Sequence, residues 1–283
     1  MGFHPSASGL RTAREAGPVT TALDQRVAEA REWIDEASRV VVLTGAGIST
    51  DSGIPDFRGP QGVWTRNPAA ERAATLQHYL GDAEVRRAAW RSRLEAPHWE
   101  AKPNPGHRAL VVLQRRGKLH ALITQNIDGL HQRAGIDPAF VIEMHGTAHW
   151  TVCWTCGDRK PMPEVIERVR AGEDDPRCLV AGPDGERCGG IIKSATISFG
   201  QQLVTADIER AERAAASCDL LLAVGSTLTV TPAAYAAPIA KEAGARVVIV
   251  NAEATAYDHI ADAVVNGSIS EVLPAMVGQE PSP

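Results

Sequence analysis

The sequence predicts an α/β protein: a doubly wound, parallel, Rossmann-like sheet with a smaller cysteine-bearing module and a helical insert. Three observations lead there. Short apolar, β-branched runs recur along the 283 residues, helical patterns separate them, and each run ends on a polar or glycine-bearing cluster. Runs that are apolar at every position are the strands of a sheet covered on both faces.

The elements follow in order. Leu23, Val27, Ala30, Ile34 and Ala37 recur at helical spacing and place a helix before the first strand. Val40 to Leu43 is that strand, and it leads straight into Gly45-Ala46-Gly47, the opening of a nucleotide-binding turn. Thr50 stands where the third fingerprint glycine belongs. Gly53, Pro55, Gly59, Pro60 and Gly62 then break any long helix. Asn104-Pro105 opens the next helix and Gly117 closes it. Leu119 to Thr124, Phe140 to Met144, Leu220 to Val224, Val247 to Val250 and the short Ala263 to Val265 are the remaining strands. This division gives a tail over 1–20 and a discontinuous sheet domain over 21–60, 104–148 and 200–278. A cofactor-loop and helical insert occupies 61–103, and a small module 149–199.

A hydrophobic content of 44% supports a sizeable core, and a net charge of −5 argues against direct nucleic-acid binding. Basic protein tails remain suitable partners. No apolar run reaches the length of a membrane span and the first residues lack a signal-peptide core, which points to the cytoplasm. Met1-Gly2 with Ser6 matches a myristoylation pattern and Arg11 with Arg14 a transit peptide, both short. A disordered polar extension ending near Gly17-Pro18 is the reading preferred here.

Each strand is followed by a polar cluster: Gly45-Ala46-Gly47 with Ser49, then Gln125-Asn126-Ile127-Asp128, His145-Gly146, Gly225-Ser226-Thr227 and Asn251-Ala252-Glu253. In open α/β sheets the carboxyl edge binds ligands, so the five clusters are expected to converge on one crevice. Singly, each would read as a capped turn.

Cys153 and Cys156 have the spacing of a zinc knuckle, and Cys178 and Cys188 follow in a segment rich in glycine, proline and charge. Four cysteines in a cytosolic chain suggest zinc before disulfides, and an all-thiolate site leaves no position for water, so the metal is structural. Cys218 precedes a buried strand and reads as a core residue.

Taken together, Gly45 to Ser49 with the long Asp56-Phe57-Arg58 loop, Thr124 to His131, His145-Gly146, the four cysteines, Gly225-Ser226 and Asn251 resemble a sirtuin, from about Val40 to Val265. The resemblance implies NAD as a consumed co-substrate and acylated lysine in proteins as the acceptor. It implies that Phe57 shields the reactive ribose carbon and Arg58 holds the loop. Asn126 and Asp128 position the ribose and the cleaved group. His145 acts as general base once nicotinamide has left and an alkylimidate has formed, and O-acyl-ADP-ribose is the product. A base with an unperturbed pKa near the working pH suits that task.

Ile197-Ser198-Phe199-Gly200 is similar to the family segment that pairs with the acyl-lysine peptide, a mode that reads main chain more than side chains. Two departures stand nearby: a proline frequent before this segment is absent from Lys193 to Thr196, and Gln201 replaces a frequent acidic residue. Relatives that prefer acidic acyl groups carry tyrosine and arginine three apart in the insert. Here that spacing holds Trp90 and Arg93, so Arg93 is expected to be a solvated helix residue and the acyl group acetyl or another uncharged one. A mono-ADP-ribosyltransferase or NAD hydrolase using the same pocket, a silent NAD-binding module and a Rossmann oxidoreductase are the alternatives.

Overall fold

The structure is a computed structural model that describes residues 21–56, 62, 72, 74–182 and 185–278. Its strands are β1 (Val40–Thr44), β2 (Leu119–Thr124), β3 (Val141–Glu143), β4 (Gly146–Cys153), β5 (Arg159–Pro161), β6 (Ile192–Thr196), β7 (Leu220–Val224), β8 (Arg246–Val250) and β9 (Ala263–Val265). Among the described residues the α-helices are α1 (Ala22–Glu36), α2 (Leu76–Gly81), α3 (Ala83–Leu94), α4 (Pro105–Arg115), α5 (Leu130–Ala134), α6 (Met162–Arg170), α7 (Thr205–Ala216), α8 (Ala236–Glu242) and α9 (Ile269–Val277).

Local chemistry sets the boundaries. Thr21 caps α1 through a reciprocal box with Asp24, and Asn104 caps α4 with Pro105 in the first turn, where its missing N–H costs nothing. Leu23, expected on the buried face of α1, stays exposed in the first turn, whereas Ala30 and Ile34 are fully buried. Phe140, expected in a strand, closes a 3₁₀ turn that starts at Pro138, so β3 begins one residue later.

The large sheet runs β3-β2-β1-β7-β8-β9, every pair parallel. Alternate residues of one strand feed opposite cores, as the two-residue period of a strand requires. Val40 and Val42 join Ile34 of α1, Leu110 and Leu113 of α4 and Leu273 and Met276 of α9. Val41 and Leu43 join Ala211 and Ala215 of α7 and Ala237 and Ala240 of α8 on the other face. The strand order reverses between β1 and β7. That switch point leaves a crevice at the carboxyl edge.

A second body holds the antiparallel sheet β5-β4-β6 and α6, whose Met162, Val165, Ile166 and Val169 pack on Ile192 and on Trp90 of α3. The insert is further tied to this module by the Tyr79 hydroxyl, which donates to the Ile192 carbonyl (2.8 Å), and by an Arg86–Asp175 pair (2.9 Å) with side chains only 6% and 10% exposed. Among the described residues no helix is long and apolar enough to cross a membrane.

Candidate active site

A cleft of about 1290 Å³ opens at the carboxyl edge of the large sheet. Its walls carry Gly45, Ala46 and Gly47 after β1, Gln125, Asn126 and Ile127 after β2, His145 after β3, Gly225, Ser226 and Thr227 after β7, and Asn251, Ala252 and Glu253 after β8. All five clusters expected to converge line one cavity. Asp56, Ile197, Phe199 and Gly200 line it as well, while Phe57 and Arg58 lie outside the described residues.

The glycines at the switch point are required by a close approach of turn to turn. A Cβ on Gly45 would sit 2.6 Å from the Gly225 carbonyl oxygen, and one on Gly47 would sit 2.7 Å from the Gly225 Cα. Gly47 N–H donates to that carbonyl (2.9 Å). The loops after β1 and β7 thus interlock into one wall, a second use for residues read from sequence as the opening of a nucleotide-binding turn. In place of a long helix, Ala46–Ser52 forms 3₁₀ turns ended by Gly53.

Beneath this wall is a buried polar network. The Asn126 amide donates to the Gly45 carbonyl (3.0 Å) and to Ser49 Oγ (3.2 Å), and Ser49 Oγ donates to Asp128 Oδ2 (2.7 Å). Asp128 Oδ1 accepts from the Leu130 N–H at the start of α5 (2.9 Å). Ser49 and Asp128 are buried behind the cleft surface. In this arrangement Asp128 is linked to the cleft-lining Asn126 through Ser49.

His145 Nδ1 lies 2.9 Å from the Gln125 carbonyl oxygen. A carbonyl only accepts, so the ring hydrogen sits on Nδ1 and the Nε2 lone pair is the basic one. Burial pushes the His145 pKa below the ordinary 6.5, opposed by that hydrogen bond, so the ring is neutral at pH 7. Gly146 follows with φ +68, and a Cβ there would come within 2.1 Å of the Ala195 carbonyl oxygen. Only glycine lets β6 cross so close, and the Ile197 N–H then donates to the His145 carbonyl (2.8 Å). His145 and the expected substrate segment are therefore joined directly.

Arg93 corrects the expectation of a solvated residue. It lines the cleft, its guanidinium packs over the rings of Trp90 and Tyr79, and Nη2 donates to Ser194 Oγ (3.3 Å). Its buried Nη1 has no partner among the described residues. Sequence spacing did not show this because α3 buries its Arg86-Ala89-Trp90 face against the cysteine-bearing module, leaving Arg93 at the edge of that contact. Also missed were Asn266, Gly267, Ser268 and Ile269, which line the cleft after β9, with Asn266 donating to the Asn251 carbonyl (2.9 Å). They repeat the pattern of a polar cluster behind a strand, and that signal was available.

The four cysteines come together with all Sγ atoms within 4.8 Å of one another, Cys153–Cys188 at 3.8 Å and Cys156–Cys178 at 3.7 Å. A tetrahedron with Zn–S bonds of about 2.3 Å has edges of about 3.8 Å. The thiol set therefore fits zinc and is too open for disulfides. Cys218 is buried in the core beside α7.

A sequence profile of the Sir2 family matches residues 45–232. The chain belongs to the Sir2 family. A curated relative, NAD-dependent protein deacetylase 2 of Streptomyces coelicolor, is 48% identical over 84% of this chain and 96% of its own. Among solved structures, a Sir2 variant with a deacetylated p53 peptide and 3′-O-acetyl-ADP-ribose superposes with a TM-score of 0.78 at 33% identity, covering 88% of this chain and 96% of that one. A Sir2 protein bound to a propionylated peptide gives 0.76 at 32% identity over 87% and 95%. Sir2 membership accounts for both bodies of the fold, the parallel sheet and the module built on four cysteines.

Proposed function

We propose that this Sir2 protein is an NAD-dependent protein-lysine deacylase that releases nicotinamide and passes the acyl group to ADP-ribose. One observation carries the reading: a neutral histidine, with its tautomer fixed and Nε2 left basic, stands on the wall of a cleft built from five strand ends. Cys153, Cys156, Cys178 and Cys188 would hold a zinc ion that would supply no chemistry in the cleft and would fix the module that carries β6.

Asn126, held by the Gly45 carbonyl and Ser49, presents its amide edge to the ribose side. The acyl oxygen attacks the ribose carbon and nicotinamide departs with the electrons of the glycosidic bond. His145 Nε2 then accepts a proton from the ribose diol, so that the 2′-oxygen attacks the acyl carbon. Water completes the transfer and lysine leaves as the free amine. Gly225, Ser226, Asn251 and Glu253 hold the rest of the dinucleotide. A cytoplasmic address belongs to the same reading, since the four thiols favour a reducing compartment.

The test is incubation with NAD and an acetyl-lysine peptide, followed by mass spectrometry. Deacylated peptide with acyl-ADP-ribose supports the reading. Free ADP-ribose without peptide turnover would mean an NAD hydrolase, and a peptide gaining ADP-ribose a transferase.

A further inference from the structure

Lys193 is a buried cation without a carboxylate partner among the described residues. It lies in β6, is 2% exposed, and its Nζ donates to the Ser194 carbonyl (2.9 Å), the Thr196 carbonyl (2.6 Å) and Gln201 Oε1 (3.2 Å). Three ammonium donors thus meet three acceptors, all within the eight residues that follow. Gln201 Oε1 also accepts from the Ser198 N–H (3.2 Å), and the Gln201 N–H donates to the Ser198 carbonyl (2.9 Å). The segment so gathered is the one whose Ile197 is bonded to the His145 carbonyl and whose Ser198, Phe199 and Gly200 line the cleft.

Burying an ammonium is costly. The cost brings shape: without the ammonium, the carbonyls of Ser194 and Thr196 and the Gln201 side chain have no common donor to draw the loop back on itself. Resting on the deacylase reading above, we propose that Lys193 and Gln201 form a clasp that pre-shapes the peptide-binding edge, Lys193 acting as a positioning residue for the acyl-lysine substrate. Preorganisation lowers the ordering cost of peptide binding and leaves the cofactor side untouched.

The clasp depends on protonation. Burial, reinforced by the Arg93 guanidinium, pushes the Lys193 ammonium down to about 8. From the insert, Arg93 is the charged group that acts on it, and the Arg93 guanidinium lies over the Tyr79 ring, whose phenol burial raises above its ordinary value. On β4 its neighbours are the uncharged Thr151 and Val152. As pH rises through about 8 the amine loses one donor and its charge, and the clasp loosens. A carboxylate at position 201 would hold the proton to higher pH.

The experiment measures peptide KM, NAD KM and kcat between pH 7 and 9 for wild type, Gln201→Leu and Gln201→Glu. Wild type is expected to show a peptide KM that rises above about pH 8 while NAD KM stays flat. Gln201→Glu should move that rise to higher pH. Gln201→Leu, which keeps neither bond, should raise peptide KM roughly tenfold at pH 7 with kcat little changed, the worth of one charge-assisted hydrogen bond. An active wild type whose peptide KM is flat with pH, and unmoved in its pH response by Gln201→Glu, overturns the clasp. So does a Gln201→Leu variant that loses kcat and both KM values together with thermal stability. A wild type with no deacylation at all overturns the deacylase reading instead. Should Gln201→Leu fail to fold, the pH displacement in Gln201→Glu decides the matter.

Discussion

Replacing His145 with alanine removes a ring nitrogen that the structure holds basic on the cleft wall beyond β3. The Gln125 carbonyl is its Nδ1 partner, so the base at Nε2 is preformed and no proton needs moving before catalysis. A positioned base contributes about 10²- to 10⁴-fold, or about 2.7–5.5 kcal/mol of barrier at roughly 1.4 kcal/mol per tenfold. The stability cost is smaller, about 1–3 kcal/mol for a carbonyl left without its donor. We expect lysine release to fall at least about a hundredfold while NAD binding by titration calorimetry and nicotinamide exchange persist, because the proton transfer follows nicotinamide departure. The pH profile should agree. The neutral ring is the active form and its pKa is depressed, so wild-type activity holds at pH 6.5 and declines only in more acid solution. Folding stability follows the same group: between the depressed pKa and 6.5 the unfolded chain binds more protons, so stability rises with pH across that window and is lost below it. A variant that keeps more than about a tenth of wild-type turnover would refute the general-base role.

Three further outcomes are expected. Cys153→Ser should release zinc and unfold the small module, since structural zinc carries on the order of 10–16 kcal/mol of apparent binding energy that is also folding energy, and purified wild type without near-stoichiometric zinc by elemental analysis would contradict the site. Arg86→Ala leaves Asp175 buried with Arg177 as its remaining partner, so the loss should lie near the lower end of 3–5 kcal/mol, roughly 6–12 °C in Tm by calorimetry; a change below about 1 kcal/mol would make the pair a minor tie. Arg93→Ala should lower the ratio of desuccinylation to deacetylation, read as kcat/KM on one peptide, because Arg93 lines the cleft and its buried Nη1 has no partner among the described residues; an unchanged ratio would return Arg93 to a purely structural place.

How far the sequence could be read depended on which force set each feature. The bounds of β2, β7 and β9 follow from apolar runs and appear where the pattern puts them. The five clusters could be joined in advance because topology alone brings strand ends together. Asn266 to Ser268 were passed over because β9 is three residues long and its tail looks like any loop. Arg86 and Arg93 were illegible for a different reason. Arginine on a helix reads as solvated, and only tertiary contact with a module far along the chain makes Arg86 a buried tie and sets Arg93 on the cleft wall. Asp128 shows the same limit at shorter range, since its motif names the residue but cannot say that Ser49 stands between it and the cleft.

The tie between α3 and the cysteine-bearing module also bears on how such a protein is inherited and engineered. The chain leaves its sheet twice, once before β2 and once after β3, yet Trp90, Arg86 and Tyr79 weld the two excursions into a single block. A chimera that exchanged either excursion alone would carry half of a shared core and an unmatched charge. The two segments form one cassette, and a graft from another family member would have to transplant both.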